Sequence, residues 1–321
     1  MRLKLKHYVP LIIGIALLWL ILILVLNDSL SKTQGNPVYA LDDAYIHMSM
    51  AKNFSQHGVW GVTGGHFSST SSSLLWTLLL SALYLIFGVN ETMPLLLNFF
   101  FATLLVVFIF HILRDQRFPT WIQTLILAAF ILFIPLPYLV FGGLEHVLQI
   151  LINLAYIYMA AKVIGDDTPA NEKPAKSMRN MLFLLAPLVS MVRYEGLFIL
   201  FAVSLLLLAR KKWIIFIINA GAGLLPVVVY GIISVSSGWY FLPNSVLLKG
   251  TRPDITHIGK ILEFLYAGLR QIIYNVHLLV LLICVLALLW YIYKKYNRWW
   301  LPANAMAMIF IITLACQAFF S

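Results

Sequence analysis

Leu74-Leu75-Trp76-Thr77-Leu78-Leu79-Leu80-Ser81-Ala82-Leu83-Tyr84-Leu85-Ile86-Phe87-Gly88-Val89 is an apolar run of 16 residues whose placement decides the topology of the chain. Crossing a hydrocarbon core of about 30 Å takes about 20 helical residues. This run falls short of that. Nine clearer apolar runs surround it: Val9–Leu26, Leu95–Leu113, Trp121–Val140, Val147–Ala161, Met181–Val192, Leu197–Ala209, Trp213–Ile233, Ile272–Tyr293 and Trp299–Phe320. Hydrophobic residues make up 62% of the chain and charged residues 11%, more apolar side chain than a soluble core hides. The expectation is an all-α, polytopic membrane protein forming a single domain over residues 1–321.

Charge decides how the ambiguous run lies. Arg2, Lys4 and Lys6 place the N-terminus in the cytoplasm. If Leu74–Val89 does not cross, three further cationic loops fall inside with them: Arg114 and Arg117; Lys162, Lys173, Lys176 and Arg179; Arg210, Lys211 and Lys212. Lys294, Lys295 and Arg298 then fall inside as well. If the run crosses, most of these charges face outward. It is therefore expected as an interfacial or re-entrant helix on the outer face, giving nine spans, with residues 27–94 as a large first outer loop. The net charge of +10 then marks orientation and implies no nucleic-acid partner. The first run is expected to be a retained anchor, since no small-residue cleavage site follows it. Cys284 and Cys316 lie in apolar runs and suggest neither a disulfide framework nor a metal site.

The same parity gathers the rare acids on one face. The chain has 12 acidic residues, and two of them are adjacent, in Leu41-Asp42-Asp43-Ala44-Tyr45-Ile46-His47. On a helix Asp42 and Asp43 point about 100° apart, and Asp43 and His47 share a face. One carboxylate suits a general base and its neighbour an ion or a substrate hydroxyl; an acidic pair opening a helix explains them equally well. Asp42, Asp43 and His47 could hold a divalent ion, which the spacing leaves open. Glu145 falls in Phe141-Gly142-Gly143-Leu144-Glu145-His146, where two glycines and a charge interrupt apolar sequence. Such a break lines a cavity or forms a plain turn. Arg193 and Glu195 stand two apart in Val192-Arg193-Tyr194-Glu195-Gly196; the arginine suits a phosphate, and the two can also neutralise each other. Asn244 and Lys249 are the inward candidates of Ser234–Gln271, expected as an outer loop, which also carries Asp254. The Ser/Thr-rich stretch His66–Ser73 reads as a loop ending in a helix N-cap, or as a hydroxyl-lined approach to the site.

In order, DDAYIHMSMAKNF, SSTSSSLLWTLLLSAL, FGGLEHVLQ, VRYEGLFIL and GWYFLPNSVLLKG resemble integral-membrane glycosyltransferases of the GT-C superfamily. The bacterial arabinofuranosyltransferase- and mannosyltransferase-like branch is the most similar. Ser72-Ser73-Leu74-Leu75-Trp76 and Arg193-Tyr194-Glu195-Gly196 lack the proline of the corresponding family motifs, and His146 stands where the family has threonine. The resemblance covers roughly residues 10–260, and family members usually continue past the point where this chain ends. It implies juxtamembrane helices in the first outer loop. It also implies a polyprenyl-phosphate-linked sugar as donor at the extracytoplasmic face of the cell membrane, and a glycan, lipid or protein hydroxyl as acceptor. Transfer would invert the anomeric centre, with Asp42 or Asp43 as base. His47, Glu145, Arg193, Glu195, Asn244 and Lys249 would bind substrate. A transporter or flippase of lipid-linked precursors, and a non-catalytic homologue, remain the alternatives.

Overall fold

The computed structural model describes residues 6–166, 173–249 and 257–320, and all regular structure in them is helical. The chain divides into two compact units, Met1–Leu151 and Ile152–Ser321.

In the first unit, α1 (Val9–Lys32) buries the stripe Pro10, Gly14, Leu18 and Leu22, one residue per turn. At Gly14 the backbone comes close to Val106 and Leu127, which belong to α4 (Met93–Asp115) and α5 (Thr120–Phe133). The Trp19 indole N–H donates to Thr103 Oγ1 at 3.2 Å and its ring stands edge-on to Phe99. Between α1 and α4 lie two further helices packed on each other, α2 (Asp42–His57) and α3 (Leu74–Phe87). Gly58 ends α2 in the left-handed conformation (φ 67°), which glycine adopts without strain. The loop after it is pinned by Asn53 Nδ2, which donates to the carbonyls of Gly61 and Val62 at 2.8 Å.

Ser73 caps α3, its hydroxyl accepting from the Trp76 N–H at 3.2 Å, as expected of the Ser/Thr-rich stretch. Leu74, Thr77, Leu80, Ser81 and Tyr84 recur at helical spacing and are buried, whereas Leu85, Ile86 and Phe87 at the far end are exposed. The expected run Trp121–Val140 is two helices, α5 and α6 (Leu136–Phe141). Ile134 precedes Pro135 and is extended (ψ 139°), because a proline disfavours helical backbone in the residue before it.

The second unit takes over within α7 (His146–Gly165) and contains α8 (Lys173–Val192), α9 (Gly196–Ala209) and α10 (Trp213–Ser236). Polar groups here satisfy one another. Tyr156 and Asn219 are both buried and exchange hydrogen bonds of 2.8 and 3.1 Å, and Ser190 Oγ donates to the Gly223 carbonyl at 2.6 Å. Arg210 Nε donates to the Ile164 carbonyl at 3.1 Å and Lys212 Nζ to the Asp166 carbonyl at 2.6 Å. Two of the cations expected to set the orientation thus satisfy carbonyls at the C-terminal end of α7.

The segment Ser234–Gln271, expected as a loop, contains the end of α10 and then α11 (Asn244–Lys249) and most of α12 (Ile258–Tyr274). The expected span at Ile272 begins instead at α13 (Val276–Tyr296), after a break at Asn275, and α14 (Pro302–Phe320) closes the unit. Asp254 lies outside the described residues.

Among the described residues six helices are long and apolar enough to cross a membrane: α1, α4, α7, α10, α13 and α14. Three of the nine expected crossings are not among them. Trp121–Val140 is broken at Pro135, the α9 helix has only 14 residues, and Met181–Val192 is the far half of α8, whose first half carries Lys173, Lys176 and Arg179.

Candidate functional site

Two helices, α2 and α3, and one turn build the polar centre of the first unit. Asp42 and Asp43 are the first two residues of α2 and are exposed. Carboxylates there lie at the positive end of the helix dipole, which favours their charge. One turn on, His47 is only 3% exposed. Asp43 and His47 share a helix face as the spacing predicts, but not an environment: Asp43 is exposed, whereas His47 lies against Thr77 of α3 and Glu145.

The two ring nitrogens of His47 face different elements. Nδ1 lies 3.0 Å from Thr77 Oγ1 and 3.5 Å from Ser71 Oγ, and Nε2 lies 3.7 Å from Glu145 Oε2. Glu145 is 1% exposed and immediately precedes α7. His47 and Glu145, expected to contact substrate, are thus turned toward each other in the interior. The hydroxyls of Ser71, Ser73 and Thr77 are buried around them and do not line an open approach.

Glu145 reaches this position through the turn before it. Gly143 has φ 68°, and a Cβ there would lie 2.4 Å from the Tyr39 ring. Only a glycine lets the turn pass this close in that conformation. Asn98 of α4 is fully buried and donates through Nδ2 to the carbonyls of Val140 and Leu144 at 3.2 and 3.0 Å. Sequence reasoning did not single out Tyr39 or Asn98. A lone asparagine inside an apolar span is itself a signal, since intramembrane polar groups are kept where they have partners.

Tyr39 ties the same elements together from outside α2. Its hydroxyl donates to the Glu91 carbonyl at 2.6 Å, and its N–H donates to the Tyr45 hydroxyl at 3.1 Å. Burial raises the Tyr39 phenol above its ordinary range. Burial, with the Glu91 carboxylate acting in the same direction, pushes Tyr84 up to about 12.

The remaining candidates belong to the second unit. Arg193 and Glu195 form a two-point ion pair, Nε to Oε2 at 3.1 Å and one terminal nitrogen to Oε1 at 2.7 Å. The pair is partly exposed and holds the guanidinium plane in a fixed orientation. Asn244 opens α11 and is half-buried, and Lys249 is the last residue of that helix. The stretch before α11 folds back on the end of α10, with Ser234 Oγ donating to the Tyr240 carbonyl at 2.6 Å and Phe241 packed on Gly231. Tyr240 and Phe241 stay exposed, as interfacial aromatics do.

Among the described residues no three His, Cys, Asp or Glu side chains gather closely enough to hold a metal ion. Asp42, Asp43 and His47 therefore do not form a ready ligand set in this arrangement. Comparison with protein-family models, with curated proteins and with solved structures finds no match.

Proposed function

We propose that this chain is a membrane glycosyltransferase that moves a sugar from a polyprenyl-phosphate-linked donor to an acceptor hydroxyl at the extracytoplasmic face. One observation carries the reading. Three of the motif stretches behind the family resemblance, 42–54, 68–83 and 141–149, are separated by up to about a hundred residues and meet around His47, through Ser71, Thr77 and Glu145. The two helices between α1 and α4 also suit the juxtamembrane pair that the resemblance implies. In this reading the N-terminus is cytoplasmic and there are nine crossings, the shorter apolar segments completing the set.

Asp42 or Asp43 takes the proton of the acceptor hydroxyl as its oxygen forms the new bond to the anomeric carbon. The bond from that carbon to the phosphate oxygen breaks with its electron pair, so the lipid phosphate departs and the centre inverts. The exposure of both carboxylates supports this role, because a base must reach the proton it removes. Arg193, oriented by Glu195, and Lys249 stabilise the charge that builds on the departing phosphate. Asn244 hydrogen-bonds a sugar hydroxyl. His47 and Glu145 hold α2 against the turn before α7 and set where its first turn points.

The test is turnover by purified protein with a panel of radiolabelled polyprenyl-phosphate sugars, comparing the unsubstituted chain with Asp42→Asn and Asp43→Asn. Loss of transfer in at least one variant is expected. Absence of transfer from every donor, or full transfer in both variants, overturns the proposal.

A further inference from the structure

Helix α12 sorts its side chains into three stripes. Phe264, Gly268 and Ile272 are the covered set. Phe264 packs on Phe319 and Phe320 of α14 with ring centroids 5.6 Å apart, and Gly268 is so close to Phe319 that a Cβ would lie 2.1 Å from its ring. A second stripe, Lys260, Glu263, Ala267, Arg270 and Tyr274, is exposed and mostly polar. Lys260 pairs with Glu263 at 2.9 Å, and Arg270 lies over the Tyr274 ring at 5.1 Å. The third stripe is open and, but for the Tyr266 hydroxyl, apolar: Ile258, Leu262, Tyr266, Leu269 and Ile273, all more than half exposed.

The height of α12 follows from its neighbours. A single residue, Asn275, separates it from the start of α13, and its middle packs on the last residues of α14. Helices α13 and α14, 21 and 19 residues long, each have the length and composition of a membrane span. A pair of spans meets a bilayer surface at its shared end, here where α13 begins and α14 finishes, and α12 packs against that end.

We propose that α12 is an interfacial helix whose open stripe, Ile258, Leu262, Tyr266, Leu269 and Ile273, is seated in the acyl chains of the adjoining leaflet. Three sectors meet three surroundings: α14 on one side, lipid on the next, water on the polar stripe. Lipid is the occupant because α13, which follows α12 after one residue and has the length and composition of a span, also leaves Val280, Ile283 and Leu286 half exposed or more. The polar stripe holds two cations and one carboxylate, so attraction to anionic headgroups is weak and apolar insertion supplies the affinity. Three charged side chains along one face set α12 apart from a span.

The experiment uses the full chain with Cys284 and Cys316 replaced by serine, reconstituted in phosphatidylcholine vesicles. Nitroxide labels are placed by Leu262→Cys and Leu269→Cys, and by Glu263→Cys and Arg270→Cys. The ratio of collision rates with oxygen and with a water-soluble nickel complex is expected to be several-fold higher at 262 and 269 than at 263 and 270. Equal ratios, with nickel reaching 262 and 269, would place the stripe in water and overturn the proposal. Shielding of 262 and 269 from both reagents would show a protein cover, such as a second copy, and overturn it too. The unsubstituted chain supplies an independent check with a photoactivatable phospholipid carrying its carbene precursor near the glycerol. Adducts are expected on Leu262, Tyr266 or Leu269, and their absence while α13 is labelled refutes the seating in lipid.

Discussion

Replacing Glu145 with leucine should expose how strongly His47 and Glu145 are coupled. Both side chains are at least 97% buried, and Nε2 and Oε2 are 3.7 Å apart. A buried polar partner stranded without its counterpart loses about 3–5 kcal/mol where a charge is left uncompensated, and about 1–3 kcal/mol where a neutral group loses its hydrogen bond. Glu145→Leu and His47→Leu are each expected to fall within that span. Replacing both removes the stranded group, so the double variant should be less destabilised than the sum of the single changes by about 1–3 kcal/mol. Glu145→Gln, which keeps the volume and an acceptor, should fall between the parent and Glu145→Leu. Equilibrium unfolding in mixed detergent micelles, followed for all four variants and the parent, measures the cycle. If the two single effects add to the double within about 0.5 kcal/mol, the residues are not coupled and the reasoning fails.

Adjacent glycines should respond oppositely. Gly143→Ala forces a side chain onto the Tyr39 ring at positive φ and should cost more than about 1 kcal/mol, whereas Gly142→Ala sits in helical backbone with its nearest contact at 3.4 Å and should stay within about 0.5 kcal/mol in the same unfolding assay. Asn98→Leu removes two hydrogen bonds and leaves the Val140 and Leu144 carbonyls without that donor, so a loss of about 2 kcal/mol is expected. Arg193→Lys cannot reproduce the two-point pairing with Glu195, and under the proposed transfer kcat should fall about 10- to 100-fold, measured with the labelled donor. Tyr84 has a folded pKa of about 12 against an ordinary value of 10.0, so its neutral form is favoured by folding. That contribution is complete below pH 10 and is lost as pH rises through 12, and Tyr84→Phe should lessen the decline in stability over that window.

Much of this protein follows from local pattern. Unbroken apolar runs are enough to mark α1, α4, α7, α10, α13 and α14, because a helix that satisfies its own backbone is what lipid permits. Short-range chemistry also marks the Ser73 cap and the acidic first turn of α2, since a cap and a dipole act within one turn. Length alone misplaced two boundaries. Pro135 splits one run by acting on its neighbour's backbone, and the three charges of α12 mask a helical apolar stripe within the expected loop. The sequence could bring Asp43 and His47 to one face, but burial is decided by what packs over that face: Asp43 is exposed, and His47 lies against Thr77 of α3. Only the tertiary structure brings Glu145 to His47, about a hundred residues along the chain. That contact depends on a turn that Gly143 lets pass Tyr39 and that Asn98 holds from a neighbouring helix, and no spacing along a single helix encodes it.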